Sequence, residues 1–73
     1  MSVDTVMVVF GRVLETDGIT PDSDFFALGG DSLIATRVLS AVARESGVEL
    51  SFEDFLAAPT PESLAKKIAG AAG

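Results

Sequence analysis

The apolar residues of this chain recur at intervals of three and four residues, which is the spacing that gathers them on one face of an α-helix. Three long stretches follow this period, from Val3, Ile34 and Leu64, and a shorter one begins at Phe52. No strand-like pattern stands out beside them. The sequence therefore predicts an all-α fold, a four-helix bundle of three main helices and one short helix.

Cap and turn residues divide the chain between these stretches. Serine, threonine and aspartate accept hydrogen bonds from the free N–H groups at a helix start, and glycine is favoured just past a helix end. A loop of about fifteen residues separates the first two helices, and at that length in a small domain it is expected to be ordered and functional. The predicted boundaries are the end of the first helix at Asp17-Gly18, the cap Asp31 and the stop Gly47 of the second, the cap Ser51 with Asp54 of the short helix, and the cap Thr60 before Pro61 of the last.

Length and composition exclude most enzyme chemistry. The chain has 73 residues, so residues 1–73 are predicted to form a single domain with a thin core. It contains no cysteine and no histidine, which excludes disulfides, Cys/His zinc sites, catalytic thiols and Ser-His catalysis. We therefore expect no metal site, no catalytic residues and no enzymatic activity of its own.

The charge balance restricts the partners. Five basic and eleven acidic residues give a net charge of −6, which disfavours contact with nucleic acid or an anionic membrane surface. The longest apolar run, Val6 to Phe10, is too short to cross a bilayer. The N-terminus lacks the basic start and small-residue cleavage site of a secretory signal. The sequence predicts a cytoplasmic monomer whose partners are proteins.

The Gly30-Asp31-Ser32-Leu33 sequence is the first candidate site. It does not match the G-x-S-x-G nucleophile elbow, because Ile34 occupies the second glycine position and no histidine is present to deprotonate Ser32. A calcium-binding EF-hand loop also fails, since Val13 would be its first ligand if Gly18 were its glycine. The plain alternative is a glycine-rich turn into a capped helix.

Ser32 is a candidate for modification, because the chain has no base to activate its hydroxyl but another enzyme could attach a group to it. The positive end of the helix would favour a phosphate at this position. Leu33 is predicted to be exposed beside Ser32, as part of a recognition surface or as a single exposed leucine. Apolar residues cluster on one side of this helix, and the opposite side presents Leu33, Thr36, Arg37, Ser40 and Arg44.

The ten residues Asp24-Phe25-Phe26-Ala27-Leu28-Gly29-Gly30-Asp31-Ser32-Leu33 resemble the signature of peptidyl carrier (thiolation) domains of nonribosomal peptide synthetases. The similarity extends from Val3 to about Ile68. It implies a four-helix carrier fold in which Ser32 receives 4′-phosphopantetheine from coenzyme A, through a magnesium-dependent phosphopantetheinyl transferase. Asp31 matches the acid of that motif, and Gly30 and Leu33 complete the attachment site.

The resemblance also implies partners. The terminal thiol of the arm would hold aminoacyl, peptidyl or related acyl groups as thioesters for adenylation, condensation, tailoring and thioesterase enzymes. The short helix contains two phenylalanines, and either of them could belong to the core and not to the partner surface. The residues expected to contact these partners are Ala27, Leu28, Leu33, Thr36, Arg37, Ser40, Phe52 and Phe55.

Two alternatives stay open. An aryl or polyketide acyl carrier differs from the peptidyl type at only a few surface positions, and an unmodified helical adaptor could bind proteins through the same surface. The chain also departs from the peptidyl pattern in its first helix, where Phe10 and Gly11 stand in a segment that often contains tryptophan. Gly11 is expected to weaken that helix by about 0.5 to 1 kcal/mol relative to alanine.

Overall fold

Four helices make up the chain in the computed structural model, which describes residues 1–72. The all-α prediction of three main helices and one short helix is confirmed, and the described residues contain no strand. None of these helices is long and apolar enough to cross a membrane. The helices are α1 (Val3–Leu14), α2 (Ser32–Ser46), α3 (Phe52–Ala57) and α4 (Pro61–Ala72).

The caps that the sequence predicted for α2 and α3 are confirmed. The Asp31 carboxylate accepts a hydrogen bond from the backbone N–H of Ile34, and Gly47 ends α2 in the left-handed conformation, with φ 73°. At α3 the Ser51 hydroxyl accepts from the Asp54 N–H, while the Asp54 carboxylate accepts from the Ser51 N–H. Both caps depend on residues within three positions of each other, which is why the sequence reveals them.

The predicted end of α1 is wrong. The helix ends at Leu14, because Glu15 turns left-handed at φ 52° and its N–H donates back to the Gly11 carbonyl. The Thr16 N–H donates to the same oxygen at 3.1 Å. A Cβ on Gly11 would lie 3.2 Å from the Thr16 carbonyl oxygen, so the glycine leaves room for the chain to fold back on α1. Gly11 therefore has a packing role beyond its cost to the helix.

The core forms where α1 packs against α2 and α4 and where α3 packs against α2. At its centre lie three fully buried phenylalanines from three different elements, Phe10 of α1, Phe25 of the loop and Phe55 of α3. The Phe10 ring is 5.2 Å from Phe25 and 5.9 Å from Phe55 between centroids, and Phe25 is 4.9 Å from Phe55. Phe25 thus brings the loop into the same core as the helices.

The α1–α2 loop, residues 15–31, is also attached to the chain near α4. The Phe25 N–H donates to the Pro59 carbonyl at 3.0 Å, and the Glu62 N–H donates to the Pro21 carbonyl at 2.9 Å. Because the loop has no regular secondary structure, its backbone groups need other hydrogen-bond partners, and these two bonds provide them. The prediction of a long ordered loop between the first two helices is confirmed, and the loop delivers the chain to the start of α2.

Candidate functional site

The turn that leads to α2 is built on Asp24. Its carboxylate accepts hydrogen bonds from the N–H groups of Phe26 and Ala27, at 2.9 and 3.1 Å. The Leu28 N–H donates to the Asp24 carbonyl at 3.1 Å. An aspartate that bonds the backbone two and three residues ahead is a common way to fix a turn. Here it holds the predicted partner residues Ala27 and Leu28 on the surface, where both are exposed.

Gly30 lies directly against Phe25. The Gly30 N–H donates to the Phe25 carbonyl at 3.0 Å. A Cβ on Gly30 would overlap the Phe25 ring and lie 2.8 Å from the Phe25 carbonyl oxygen, closer than real Cβ atoms approach. Gly29, with φ 99°, adopts a conformation that other residues rarely take. The double glycine therefore allows the chain to leave the buried Phe25 and reach the start of α2 in a few residues.

Ser32 is the first residue of α2, and it is exposed. Its carbonyl accepts a hydrogen bond from the Thr36 hydroxyl at 3.0 Å, whereas none of the described residues bonds to the Ser32 hydroxyl. The first turn of α2 carries no acidic side chain, so the Asp31 cap is the carboxylate that acts on the positive end of this helix. Residues 1–72 also hold no cluster of metal-ligating side chains. The site offers an accessible alcohol beside free helix N–H groups.

Asp31 connects this alcohol to the turn before it. The residue is extended, with φ −131° and ψ −177°, and its Oδ1 accepts from the Ile34 N–H at 2.9 Å. Its carbonyl accepts from the Ala35 N–H at 2.8 Å. The exposed carboxylate therefore fixes the first turn of α2 immediately before Ser32.

Large apolar side chains are exposed around this site. Leu33 is 73% exposed, as predicted, and Leu28 is 43% exposed. On α3, Phe52 is 37% exposed, with its ring 6.2 Å from that of Phe26, and Leu56 one turn later is 51% exposed. Leu56 was not among the predicted contacts, although its spacing from Phe52 already placed the two on one side of a helix.

The prediction that Phe55 contacts partners is wrong. Its side chain is fully buried against Phe10, Phe25 and Phe26, so it contacts the core and is not available to a partner. In a helix of six residues, two phenylalanines three positions apart both fit a helical period, and only the packing of α3 on α2 decides which one is buried. Phe52 stays a predicted contact residue.

The other predicted contacts lie along α2, where Leu33, Thr36, Arg37 and Ser40 are all exposed. The structure brings them together, but next to α1, where they line a groove with Arg12. From helical spacing alone, Arg12 is expected to face away from the apolar stripe of its own helix. Its proximity to α2 follows from tertiary packing, so no local signal could have identified it.

Asp54 lies at the N-terminus of α3, where it forms a capping box with Ser51. Hydrogen bonds from Ser51, first from its backbone N–H, hold the pKa of Asp54 below the ordinary value of 3.8. The Lys67 ammonium, 3.6 Å away, contributes in the same direction. The group is exposed to solvent and acts as a cap.

Comparisons with known proteins agree on one protein family. Residues 4–68 match the phosphopantetheine attachment site family. The nonribosomal peptide synthetase CymA of Salinispora arenicola is 45% identical over 60 residues, which are 82% of this chain and 1% of that protein. Surfactin synthase subunit 1 of Bacillus subtilis is 40% identical over 63 residues, 86% of this chain and 2% of that one. The chain thus spans a very small part of the length of these relatives.

A solved structure agrees. The peptidyl carrier protein in the complex of the phosphopantetheine transferase Sfp with coenzyme A superposes with a TM-score of 0.91 at 34% identity, over 96% of this chain and 91% of that one. The predicted resemblance, the carrier role and the phosphopantetheine cofactor are confirmed. By sequence, this chain belongs to the phosphopantetheine attachment site family, and its fold is that of a peptidyl carrier protein.

Proposed function

We propose that Ser32 is the residue of this domain that receives 4′-phosphopantetheine, and that residues 1–73 act as one carrier domain. The observation that carries the proposal is the position of its hydroxyl, exposed at the first residue of α2 and not hydrogen-bonded to any described residue. Gly30 and Asp31 place it there, through the contact with Phe25 and the cap on Ile34.

The attachment step needs chemistry that this chain does not supply. The Ser32 oxygen would form a bond to the β-phosphorus of coenzyme A, lose its proton, and release adenosine 3′,5′-bisphosphate. The chain has no histidine to take that proton, and we assign the base and the magnesium ion to the transferase. When bound, the cofactor supplies a terminal thiol that carries acyl groups as thioesters.

The residues around Ser32 support an anion at this position. The N–H groups of the first turn that Asp31 does not bind can donate to a phosphate on Ser32. The positive end of a helix stabilises a nearby negative charge by about 0.3 to 1 kcal/mol, and the Asp31 carboxylate already offsets part of this effect. Asp31 uses one carboxylate oxygen to cap α2, and the exposed carboxylate is available to the transferase. Leu33, next to the attachment point, offers an exposed apolar contact to the enzyme that binds there.

The proposed partners are the transferase, an adenylation enzyme or domain, and condensation, tailoring or thioesterase enzymes. Exposed side chains from the loop, α2 and α3 would form the contact surface, in which large exposed apolar side chains stand beside an arginine and hydroxyl groups. The domain would act as a cytoplasmic monomer, in the compartment that supplies coenzyme A and ATP. The proposed contact residues are Ala27, Leu28, Leu33, Thr36, Arg37, Ser40, Phe52 and Leu56.

The test is intact-mass measurement after incubation with coenzyme A, magnesium and a broad-specificity phosphopantetheinyl transferase. The unchanged protein is expected to gain one phosphopantetheine group and Ser32→Ala none. Ser2→Ala is the matched control, because Ser2 is also an exposed serine at the start of a helix and lies outside the proposed contact residues, so its loss should leave the gain intact. A Ser32→Ala protein that is still modified would overturn the assignment. An unchanged protein that several transferases leave unmodified would favour the adaptor alternative.

The same assay can distinguish the carrier subclass. Once the arm is attached, adenylation enzymes for amino acids are expected to load the domain, whereas enzymes that activate aryl acids, and acyltransferases that deliver malonyl units, are not. Loading by one of the latter groups alone would identify an aryl or polyketide carrier.

A further inference from the structure

The three arginines of the chain line one groove between α1 and α2. Arg12 comes from α1, and Arg37 and Arg44 come from α2. The groove has a volume of about 430 Å³. In a chain with eleven acidic residues and a net charge of −6, this is a local concentration of positive charge. The remaining basic residues, Lys66 and Lys67, lie on α4.

The groove also has apolar walls. Val9 and Val13 of α1 and Ala41 of α2 line it together with Leu33 at the end nearest Ser32. Along α2 it extends from Leu33 to Arg44, which at 1.5 Å per residue is roughly 16 Å, or three helical turns. Thr36 and Ser40 complete the lining. A groove of this length that combines arginines with apolar residues matches one face of a short amphipathic helix.

The arginines are free to bind. Within residues 1–72 the ion pair that forms joins Lys67 to Asp54, away from the groove, so no described carboxylate neutralises the groove arginines. Arg12 and Arg44 stand in the last turns of their helices, where a positive charge also favours the helix dipole. That structural role does not apply to Arg37, which lies near the middle of α2 and lines the same groove.

We propose that the α1–α2 groove binds an acidic amphipathic helix of a partner protein. Its carboxylates would pair with the guanidinium groups of Arg12, Arg37 and Arg44, and its apolar side chains would cover the floor of the groove. All eleven acidic residues lie outside the groove, and their charge disfavours binding of such a helix elsewhere on the surface. The binding does not require the phosphopantetheine arm, so it goes beyond the carrier function.

The probe is a synthetic helical peptide of about 16 residues, long enough to span the groove, with leucines on one face and glutamates beside them. Titration into ¹⁵N-labelled protein is expected to move the signals of Arg12 and Arg44 and their neighbours on α1 and α2. A matched peptide with glutamine for every glutamate is expected to bind at least tenfold more weakly. Raising the salt from about 50 to about 300 mM should weaken the glutamate peptide several-fold.

Two double variants make the test specific. Arg12→Gln/Arg44→Gln is expected to weaken peptide binding at least fivefold. Lys66→Gln/Lys67→Gln removes the same two positive charges from α4 and is expected to leave the Kd within twofold. All four positions carry long polar side chains on helices, so both variants are expected to fold, and thermal melts are the check. Both proteins should still accept phosphopantetheine on Ser32, which separates a failure of this proposal from a failure of the carrier assignment.

Four outcomes would overturn the proposal. These are no saturable binding of the glutamate peptide, equal weakening in both double variants, signal changes confined to Leu28, Phe52 and Leu56, and self-association of the protein that Arg12→Gln/Arg44→Gln abolishes. The last would identify a second copy of this chain as the occupant of the groove. Sedimentation of the protein alone measures it.

Discussion

Phe25 and Leu33, on either side of the Gly29-Gly30 pair, occupy opposite environments. Phe25 is fully buried among the rings of Phe10 and Phe55, whereas Leu33 is 73% exposed beside Ser32. One apolar residue attaches the loop to the core, and the other is left for partners. The comparison shows that the motif combines two tasks, holding the start of α2 in place and presenting a surface around it. Substitutions on the two sides should therefore differ sharply in their effect on stability.

The largest expected effect is that of Phe25→Ala. Removing a buried phenylalanine costs about 3 to 5 kcal/mol, and a domain of this size has roughly 4 to 11 kcal/mol in total. We expect the variant to be largely unfolded at moderate temperature, as measured by far-UV circular dichroism during thermal melting. Phe52→Ala, which removes a phenylalanine that is 37% exposed, is the matched control and should cost much less. Similar melting temperatures for the two variants would contradict the comparison.

Gly30→Ala should have the next largest effect. Its Cβ would overlap the Phe25 ring and crowd the Phe25 carbonyl, and strain of this kind costs about 1 to 3 kcal/mol. Gly70→Ala is the control, because a Cβ there meets nothing within 4 Å and the position lies inside α4, so that alanine should stabilise by about 1 kcal/mol. Urea unfolding measures both changes, which should have opposite signs. A neutral or stabilising Gly30→Ala would refute the close packing on Phe25.

Asp31→Ala should cost about 1 kcal/mol, because it leaves the Ile34 N–H without its cap. Asp31→Asn keeps a side-chain oxygen at the cap and should retain most of that stability. If the carboxylate also serves the transferase, both variants are modified more slowly than the unchanged protein, although only the alanine variant is less stable. Unfolding free energies and modification rates, measured on the same samples, separate the two roles. An asparagine variant modified at the normal rate would limit Asp31 to capping.

The pH dependence of the Asp54 cap is a smaller effect. Because its pKa is lowered in the folded protein, its stabilising contribution is fully present above the ordinary value of 3.8 and is lost as the pH falls through the lower folded pKa. The difference in melting temperature between the unchanged protein and Asp54→Asn should stay constant from neutral pH to about pH 5 and shrink below about pH 4. A difference that grows on acidification would contradict the direction of the shift.

Leu33→Asp should have the smallest effect on stability. The side chain is already exposed, and an acid in the first turn of α2 favours the helix dipole, so the unfolding free energy should change by less than about 0.5 kcal/mol. Loading by an adenylation partner should fall at least tenfold, which steady-state kinetics with the modified domain would measure. Loss of the fold would show that Leu33 is needed by the core. Normal loading would remove it from the partner surface.

Local hydrogen bonds explain how much of the fold could be predicted. Asp31, Gly47 and Ser51 act on groups within a few residues, and the sequence identified each of them correctly. The end of α1 was misplaced because it depends on the fit of Thr16 against Gly11. That contact is a matter of backbone shape, which helical periodicity does not describe.

The site could be predicted only in part, because some of its residues depend on contacts between elements distant in the sequence. Ser32 lies in a contiguous motif, so its position could be predicted, and the exposure of Leu33 followed from helical spacing. The burial of Phe55 depends on how α3 packs on α2, and the meeting of Arg12 with α2 depends on how α1 does. Both are long-range contacts that no local pattern contains.

The hydrogen bonds from Phe25 to Pro59 and from Glu62 to Pro21 affect how a group attached to the domain could reach another enzyme. They attach the loop at two points to the segment that opens α4, in addition to the packing of the Phe25 ring in the core. Movement of the loop relative to the bundle would break these bonds, so we expect a carried group to travel by bending of its own tether and by rotation of the entire domain. A receiving enzyme would then distinguish this carrier from others by the shape of this surface and by the group that it carries.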